Sequence, residues 1–412
     1  MTDWRSCTVG DLVKEKLIAP PMDGNHGETH PKGNDFTVTG IPFVMASDIN
    51  NGVIGFGECK YITKEQADGL RKGFSLEGDV LLSHKATIGR TAIVPRTEFP
   101  YLMLTPQVTY YRVLDKKVLD SRFLKYYFDS SSFQKTLGLW AGAGSTRAYL
   151  GITGQKYLPV RIPDINTQRQ VADVLSAIDK KIELNNKINA ELEAMAKLIY
   201  DYWFVQFDFP DANGKPYKSS GGKMVYNETL KREIPDGWEV AYFGECVAVR
   251  KGELITKKTV KEGEVKVVAA GLNFSYYHST SNYQKNTITV SGSGASAGFV
   301  NFWREPIFAS DCITVRGSTD AETVLALQYL RLIQSYIFKQ ARGSAQPHVY
   351  PNDISGLKYL VAPTGLIEEF GNKVLSANEK IAVNDRENEN LTDLRDWLLP
   401  MLMNGQVTVK DS

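Results

Sequence analysis

Cysteine is scarce in this chain of 412 residues: there are four, Cys7, Cys59, Cys246 and Cys312, and no C-x-x-C pair. That scatter fits a reducing cytoplasm and argues against a zinc module. No apolar run approaches the roughly 18 residues of a membrane span. The opening MTDWRSCTVGDLVKEK lacks the apolar core of a secretory signal. The expectation is a cytoplasmic, non-membrane protein. Catalytic signatures are missing as well. There is no Walker loop, no nucleophile elbow and no Asn/Asp-Pro-Pro-aromatic tetrapeptide.

Net charge is nearly absent too, at +1 from 48 Lys and Arg against 47 Asp and Glu. The distribution is uneven. Residues 60–147 hold 14 basic against 8 acidic side chains, a net +6. Residues 250–350 hold 12 against 7, a net +5, whereas 364–396 hold 4 against 8, a net −4. Two basic regions balanced by acidic helical surface form two candidate footprints for a polyanion. Ordinary variation of surface charge is the competing reading.

What is present is a passage written twice. Residues 140–163 read WAGAGSTRAYLGITGQKYLPVRIP, and 342–363 read RGSAQPHVYPNDISGLKYLVAP. Each contains Gly-Ser and Lys-Tyr-Leu and ends at a proline that opens a long helical pattern. Trp4 and Gly10 are echoed by Trp238 and Gly244, and DKKIELNNKINAEL by NEKIAVNDRENENL. The offset shrinks from 234 residues at the tryptophans to 199 at the helices, so the second half has the shorter middle. A repeat this large marks a duplicated domain rather than a solenoid.

Within each half, GDVLLSHKATIGRTAIV (78–94) and NTITVSGSGASAGFVNFW (286–303) predict two strands around a glycine turn. An aromatic-rich helix follows each. Residues 168–204 then show a heptad seam through Val171, Val174, Ile178, Asn185, Ile188, Leu192, Met195, Ile199 and Tyr202, with Lys181 and Asn185 as polar breaks. Asn166 or Thr167 is the expected cap. Residues 367–403 behave similarly and are expected to stop at Pro400 and Asn404-Gly405. Such helices, each about 55 Å long at 1.5 Å per residue, pack most simply on each other, antiparallel. Residues 208–238, rich in Gly, Pro and Ser, read as a linker.

Few motifs carry chemistry. SGSGASAG (291–298) lacks the Gly-Lys-Ser/Thr of a phosphate loop and reads as a tight turn. His26 and His30 have metal-ligand side chains, but Gly27 and Pro31 discourage the helix that would align them. The Gly-Ser passages hold Ser145, Thr146, Arg147 and Tyr149, and then Arg342, Ser344, Gln346, His348 and Tyr350. Arg and Gln can pair two-pronged with guanine and adenine edges, and the hydroxyl side chains suit phosphates. A polar turn before an edge strand is the bland alternative.

The chain resembles, over essentially its whole length, the specificity subunit of type I restriction–modification enzymes. The resemblance rests on the two strand–turn–strand stretches, the 342–363 passage, the segment GKPYKSSGGKMVYNETLKREIPDGW and the doubled long helix. It implies an α+β fold with an internal pseudo-two-fold. Two α/β target-recognition domains, 1–165 and 236–362, would be separated by two long antiparallel coiled-coil helices, 166–206 and 363–405, with a linker at 207–235. Each domain would read one half of a split site in double-stranded DNA. The helices would set the spacer and dock two methyltransferase (modification) subunits, with restriction/translocase subunits joining them. The chain itself would be non-catalytic, within a complex acting as an adenine-specific DNA methyltransferase and endonuclease. S-adenosylmethionine, ATP and magnesium would belong to those partners, with no cofactor in this chain. Ser83, Lys85, Arg90, Ser291 and Ser293 of the strand turns join the Gly-Ser residues as expected DNA contacts, Lys85 and Arg90 at phosphates. A coiled-coil scaffold with protein-binding ends, or a stand-alone nuclease, are the alternatives.

Overall fold

The entry segment of each half forms a short strand that closes, antiparallel, on the strand following the Gly-Ser passage. Arg5–Thr8 pairs with Pro159–Ile162, and Glu239–Tyr242 pairs with Lys358–Val361. The computed structural model describes residues 4–27, 30–142, 148–256, 258–343 and 346–409. Register corrects one part of the sequence repeat. Thr8 faces Pro159 and Tyr242 faces Lys358, so Leu158 corresponds to Leu357. The two Lys-Tyr-Leu triplets are therefore not equivalent: Tyr157 is exposed at the end of a turn, while Tyr359 is buried within a strand. With that shift, the 199-residue offset of the helices extends back through the whole Gly-Ser passage. Gly10 and Gly244 obey the same correspondence. A Cβ on Gly10 would lie 3.1 Å from the Lys156 carbonyl oxygen, and one on Gly244 2.5 Å from Ser355 Cβ, at the matching position.

The chain forms two compact units, 1–182 with 389–412, and 183–388. The first holds a four-stranded sheet ordered Met22–Asp23, Val108–Tyr111, Val80–Lys85, Thr87–Ile93, and a second ordered Lys60–Ile62, Ile41–Val44, Leu102–Leu104, Phe74–Ser75. The second unit repeats the plan. Its four-stranded sheet runs Ala248–Lys251, Cys312–Arg316, Thr287–Ser291, Val300–Trp303, and its three-stranded sheet runs Phe274–His278, Val265–Val268, Ile307–Ala309. The aromatic helical stretch after each sheet is two helices rather than one. Ser121–Asp129 ends and Ser131–Ala141 begins at Ser130, whose extended backbone and hydroxyl cap the second helix at Phe133 N. Asp320–Leu332 and Gln334–Gln340 break likewise at Ile333.

The two long helices are Ile165–Tyr200 and Thr364–Met403. Asp164, not Asn166 or Thr167, caps the first: its carboxylate accepts from both their backbone N–H groups at 3.0 and 3.1 Å. Pro400 does not end the second, which continues to Met403 before Gly405 turns left-handed at φ +68°. The seam also departs from strict heptads. Met195 and Tyr202 are exposed, and Ala196, Tyr200 and Trp203 are buried in their place. A helix of 3.6 residues per turn drifts away from a 3.5 repeat, and the wide π turn at Asp201–Val205 shifts the facing further.

The helices run antiparallel. In the first unit Arg395 reaches Asp179 at 3.0 Å. In the second, Asn185 donates to Asn388 at 2.9 Å and Asn384 to Asn189 at 2.8 Å. Asn189 also donates to Asp385 at 2.7 Å, and Asn388 to Asn186 at 2.9 Å. Asn185 and Asn384 are essentially buried, so this ladder of amides makes the seam locally polar and ties it to one register.

Each unit's core takes side chains from both long helices. Val171, Leu175, Leu399, Leu402 and Met403 join the main core of the first, and Tyr200, Phe204, Phe370 and Val374 that of the second. The end of the C-terminal helix is thus part of the first unit rather than a free spacer. The supposed linker at 207–235 is folded as well. Phe207 is buried, Phe209 stacks on Trp238 at 5.3 Å, and Met224–Asn227 pairs with Arg232–Pro235 as a hairpin. Its glycines and serines make turns between apolar anchors, which composition alone conceals.

Candidate nucleic-acid interface

In both units the strand turn and the Gly-Ser passage are hydrogen-bonded to each other in the same way. In the first, Ala86 N donates to Ala148 O at 3.2 Å, Leu150 N to His84 O at 3.1 Å, and Lys85 bridges to Tyr149. In the second, Gly294 N donates to Pro347 O at 3.0 Å, Val349 N to Gly292 O at 3.0 Å, and Ser293 bridges to His348. Position by position, His84 matches Gly292, Lys85 matches Ser293, and Tyr149 matches His348. Ala86 and Gly294 both take the left-handed conformation, at φ +64° and +78°. Ala86 does so despite its Cβ, a conformation that ordinarily favours glycine.

The predicted site residues divide. Lys85 is exposed and its ammonium lies 6.0 Å from the centre of the Tyr149 ring, itself half exposed. Gln346 and Arg342 are exposed, and Arg342 pairs with Asp353 at 3.0 Å. His348 stacks on Tyr350 with centroids 6.1 Å apart and planes 19° from parallel. Ser293 sits at the turn, its hydroxyl 3.4 Å from Asp311.

Three residues point elsewhere. Ser83 is fully buried and its hydroxyl accepts from Arg90 N at 2.8 Å. Ser291 is buried and donates to the Ala270 carbonyl. Both lie in strands that are buried on both faces, so their hydroxyls are satisfied inside the protein. Arg90 is spent on the 46–50 loop, where one guanidinium nitrogen meets the carbonyls of Ala46, Ser47 and Ile49 and the Asn50 amide oxygen at 2.7–3.2 Å. It is a clamp on a loop rather than a free phosphate contact. Ser145, Thr146, Arg147 and Ser344 lie outside the described residues.

Sequence reasoning missed His84, the buried end of a polar chain beneath Tyr149. Tyr111 OH donates to Gln155 Oε1 at 2.6 Å, and Gln155 Nε2 donates to Thr109 Oγ1 at 3.1 Å. Thr109 Oγ1 is 2.8 Å from His84 Nδ1. This contact ties the imidazole to the buried chain through Nδ1. Burial holds the imidazole down at about 4, neutral at pH 7. Among the described residues Nε2 has no hydrogen-bond partner, and the ring lies 5.7 Å from Tyr149. A lone histidine in a strand gives no sequence signal for this role.

His26 pairs with Asp23 at 2.8 Å and His30 with the Asn25 carbonyl at 3.1 Å. Among the described residues no three His, Cys, Asp or Glu side chains converge as metal ligands, and no helix is long and apolar enough to cross a membrane.

The comparisons with known proteins agree with this doubled arrangement. The family model described as the type I restriction modification DNA specificity domain matches residues 1–194 and again 235–359. The type I restriction enzyme MjaIX specificity subunit of Methanocaldococcus jannaschii is 25% identical over 425 residues, covering 97% of this chain and 94% of its own length. The HindI specificity subunit of Haemophilus influenzae is 23% identical over 480 residues, covering 99% and 100%. The crystal structure of the type I restriction–modification S subunit from M. genitalium shares the fold, with a TM-score of 0.60 at 17% identity over 100% of this chain and 97% of that one. A chain matched by the family model in both of its halves, each built around the same bridged turn, belongs to the type I restriction–modification DNA specificity family.

Proposed function

We propose that this chain reads a bipartite site in double-stranded DNA, one half per unit, and carries no chemistry of its own. The observation that carries the reading is the bridged turn, made twice from equivalent backbone hydrogen bonds but with different side chains, Lys85 and Tyr149 against Ser293 and His348. The same scaffold with different reading groups is what two unlike half-sites require. The basic excess of both middles supplies the phosphate attraction.

The long helices dock two copies of one partner, the modification subunit. Support comes from large apolar side chains left exposed on them at one repeated offset. Leu184, Met195 and Leu198 on the first helix match Val383, Leu394 and Trp397 on the second, each 199 residues later. In the second unit Leu192, Met195, Ala196 and Ile199 face Val374 and Ala377 across a groove edged by Lys373 and Lys380. Duplicated exposed apolar surface suits two equivalent protein contacts. The helices' length sets the spacer between half-sites. S-adenosylmethionine serves the modification subunits, and ATP and magnesium serve the restriction/translocase subunits. The assembled complex methylates adenine and cleaves DNA.

The test is selection from a random duplex library by the purified chain with its modification subunit, read by sequencing. Two short motifs at a fixed gap, affinity falling steeply with salt, and two modification subunits per chain by mass are expected. Salt-independent binding with no motif would favour a protein-binding scaffold. Methyl transfer by the chain alone would overturn the non-catalytic reading.

A further inference from the structure

The residue at the bridged position is aromatic in both units, Tyr149 and His348, and each rests on a second ring. The supports come from opposite sides. In the first unit His84, from the strand turn, lies 5.7 Å from Tyr149. Its counterpart in the second unit is Gly292. In the second unit Tyr350, from the Gly-Ser passage, stacks 6.1 Å from His348. Its counterpart in the first is Gly151. Each unit thus has one ring and one glycine at the two supporting positions, exchanged between the halves.

The glycine matters in the first unit. A Cβ on Gly151 would lie 2.7 Å from Tyr149 Oη and 3.1 Å from Cζ, so the phenol is laid over bare backbone. The other neighbour is the fully buried imidazole, fixed through Nδ1 by the Thr109–Gln155–Tyr111 chain, its Nε2 without a hydrogen-bond partner among the described residues. A ring so held, yet half exposed, is a preorganised contact surface.

Resting on the DNA-reading function above, we propose that Tyr149 and His348 are the base-contacting, specificity-determining side chains of the two half-sites, positioned by His84 and Tyr350. Exchange of the support gives the contacting ring a different aromatic neighbour in each unit. The planes are 49° apart in the first unit and 19° in the second. Different rings on different supports at one place of a shared scaffold let the units read different bases.

Gly151→Ala is the discriminating variant. Gly151 lies at φ −64°, where alanine is unstrained, and the atoms nearest the new methyl are those at the movable end of Tyr149. The ring is displaced while the fold is kept. Selection from a random duplex library with Gly151→Ala should show preference at one or two base pairs of a single half-site falling roughly tenfold or more. The other half-site, the spacer and the melting temperature should be unchanged. Tyr149→Ala should affect the same base pairs, and His348→Ala those of the other half. Joint His84→Gly and Gly151→Tyr, which rebuilds the second unit's arrangement, should restore a sharp but different preference in the first half-site. Unchanged motifs in both Gly151→Ala and Tyr149→Ala, or equal loss in both halves, would overturn the assignment. Absence of any bipartite motif with the unaltered chain would instead remove the DNA-reading function on which it rests.

Discussion

Gly244→Ala should destabilise the second unit, while Gly10→Ala at the matching place should leave the first nearly unchanged. Both glycines lie inside short helices, Phe243–Cys246 and Val9–Lys14, so alanine gains about 1 kcal/mol of helix propensity at either. The opposing term differs. At Gly244 the new methyl would sit 2.5 Å from Ser355 Cβ and 3.2 Å from its Cα, atoms that cannot swing away. Overpacking of that kind costs about 1–3 kcal/mol, and this contact belongs at the upper end. The net loss is about 1–2 kcal/mol. At Gly10 the nearest atom is the Lys156 carbonyl oxygen at 3.1 Å, which asks for a few tenths of an ångström and leaves a balance near zero. For a domain of this size about 1 kcal/mol moves the melting point by roughly 2–4 °C. Calorimetry that resolves the two units as separate transitions is the assay, since a single two-state fit would blur them. Ser355→Gly should recover most of the loss in Gly244→Ala, a coupling of about 1–2 kcal/mol in a double-mutant cycle. Equal effects at both glycines, or no recovery, would refute the packing argument and the residue correspondence together.

Three further outcomes follow from the same geometry. Glu193 is held by Arg304 at 2.5 Å and Arg331 at 3.6 Å, and Arg304 is only 13% exposed. Glu193→Gln leaves those guanidinium groups without their counter-charge and should cost the second unit about 1–3 kcal/mol in urea unfolding, toward the lower value because Glu193 is partly solvated. His84, held near 4 when folded and titrating near 6.5 when unfolded, keeps its full contribution above pH 6.5. As pH falls from there toward 4 the unfolded chain takes the proton first, and about 1.4 kcal/mol is lost per pH unit. His84→Gln should remove that slope from the first unit's transition, and identical pH dependence in both proteins would contradict it. Matched four-residue insertions in both long helices add about 6 Å, and should lengthen the preferred DNA spacer by about one or two base pairs with half-site sequences kept; an unchanged spacer would show that other elements set it.

Much of the architecture was legible because duplication leaves traces that do not depend on any one propensity. Trp4 and Trp238, the paired glycines and the two long helices mark the halves before any strand is assigned. What misled was local likeness without shared geometry. Lys-Tyr-Leu recurs on a turn in one half and in a strand in the other, and only hydrogen-bond register separates them. Pro400 reads as a stop, yet the helix runs on for three residues. The 207–235 stretch reads as a linker because composition does not register Phe207 and Phe209 as anchors on Trp238. At the two bridged positions, Lys85, Tyr149 and His348 were visible as polar and aromatic residues in the glycine-bearing passages. Ser83, Ser291 and Arg90 shared that look, but burial of both strand faces and bonds to nearby backbone groups turn them to structural use. His84 was illegible, since its role depends on residues 25 and 71 positions away in sequence.

The seating of Leu399, Leu402 and Met403 in the first unit has a consequence for biosynthesis. That unit's core is closed by side chains that lie beyond the whole of the second unit, Glu183–Asn388. At about 5–20 residues per second, a ribosome needs roughly 10–40 s to traverse the intervening stretch. Throughout that interval the first unit must wait with part of its apolar interior uncovered, although it emerges first. Order of emergence and order of completion are therefore reversed. A nonsense mutation near the end of the coding sequence would damage the domain encoded at its beginning, leaving the one beside it largely intact.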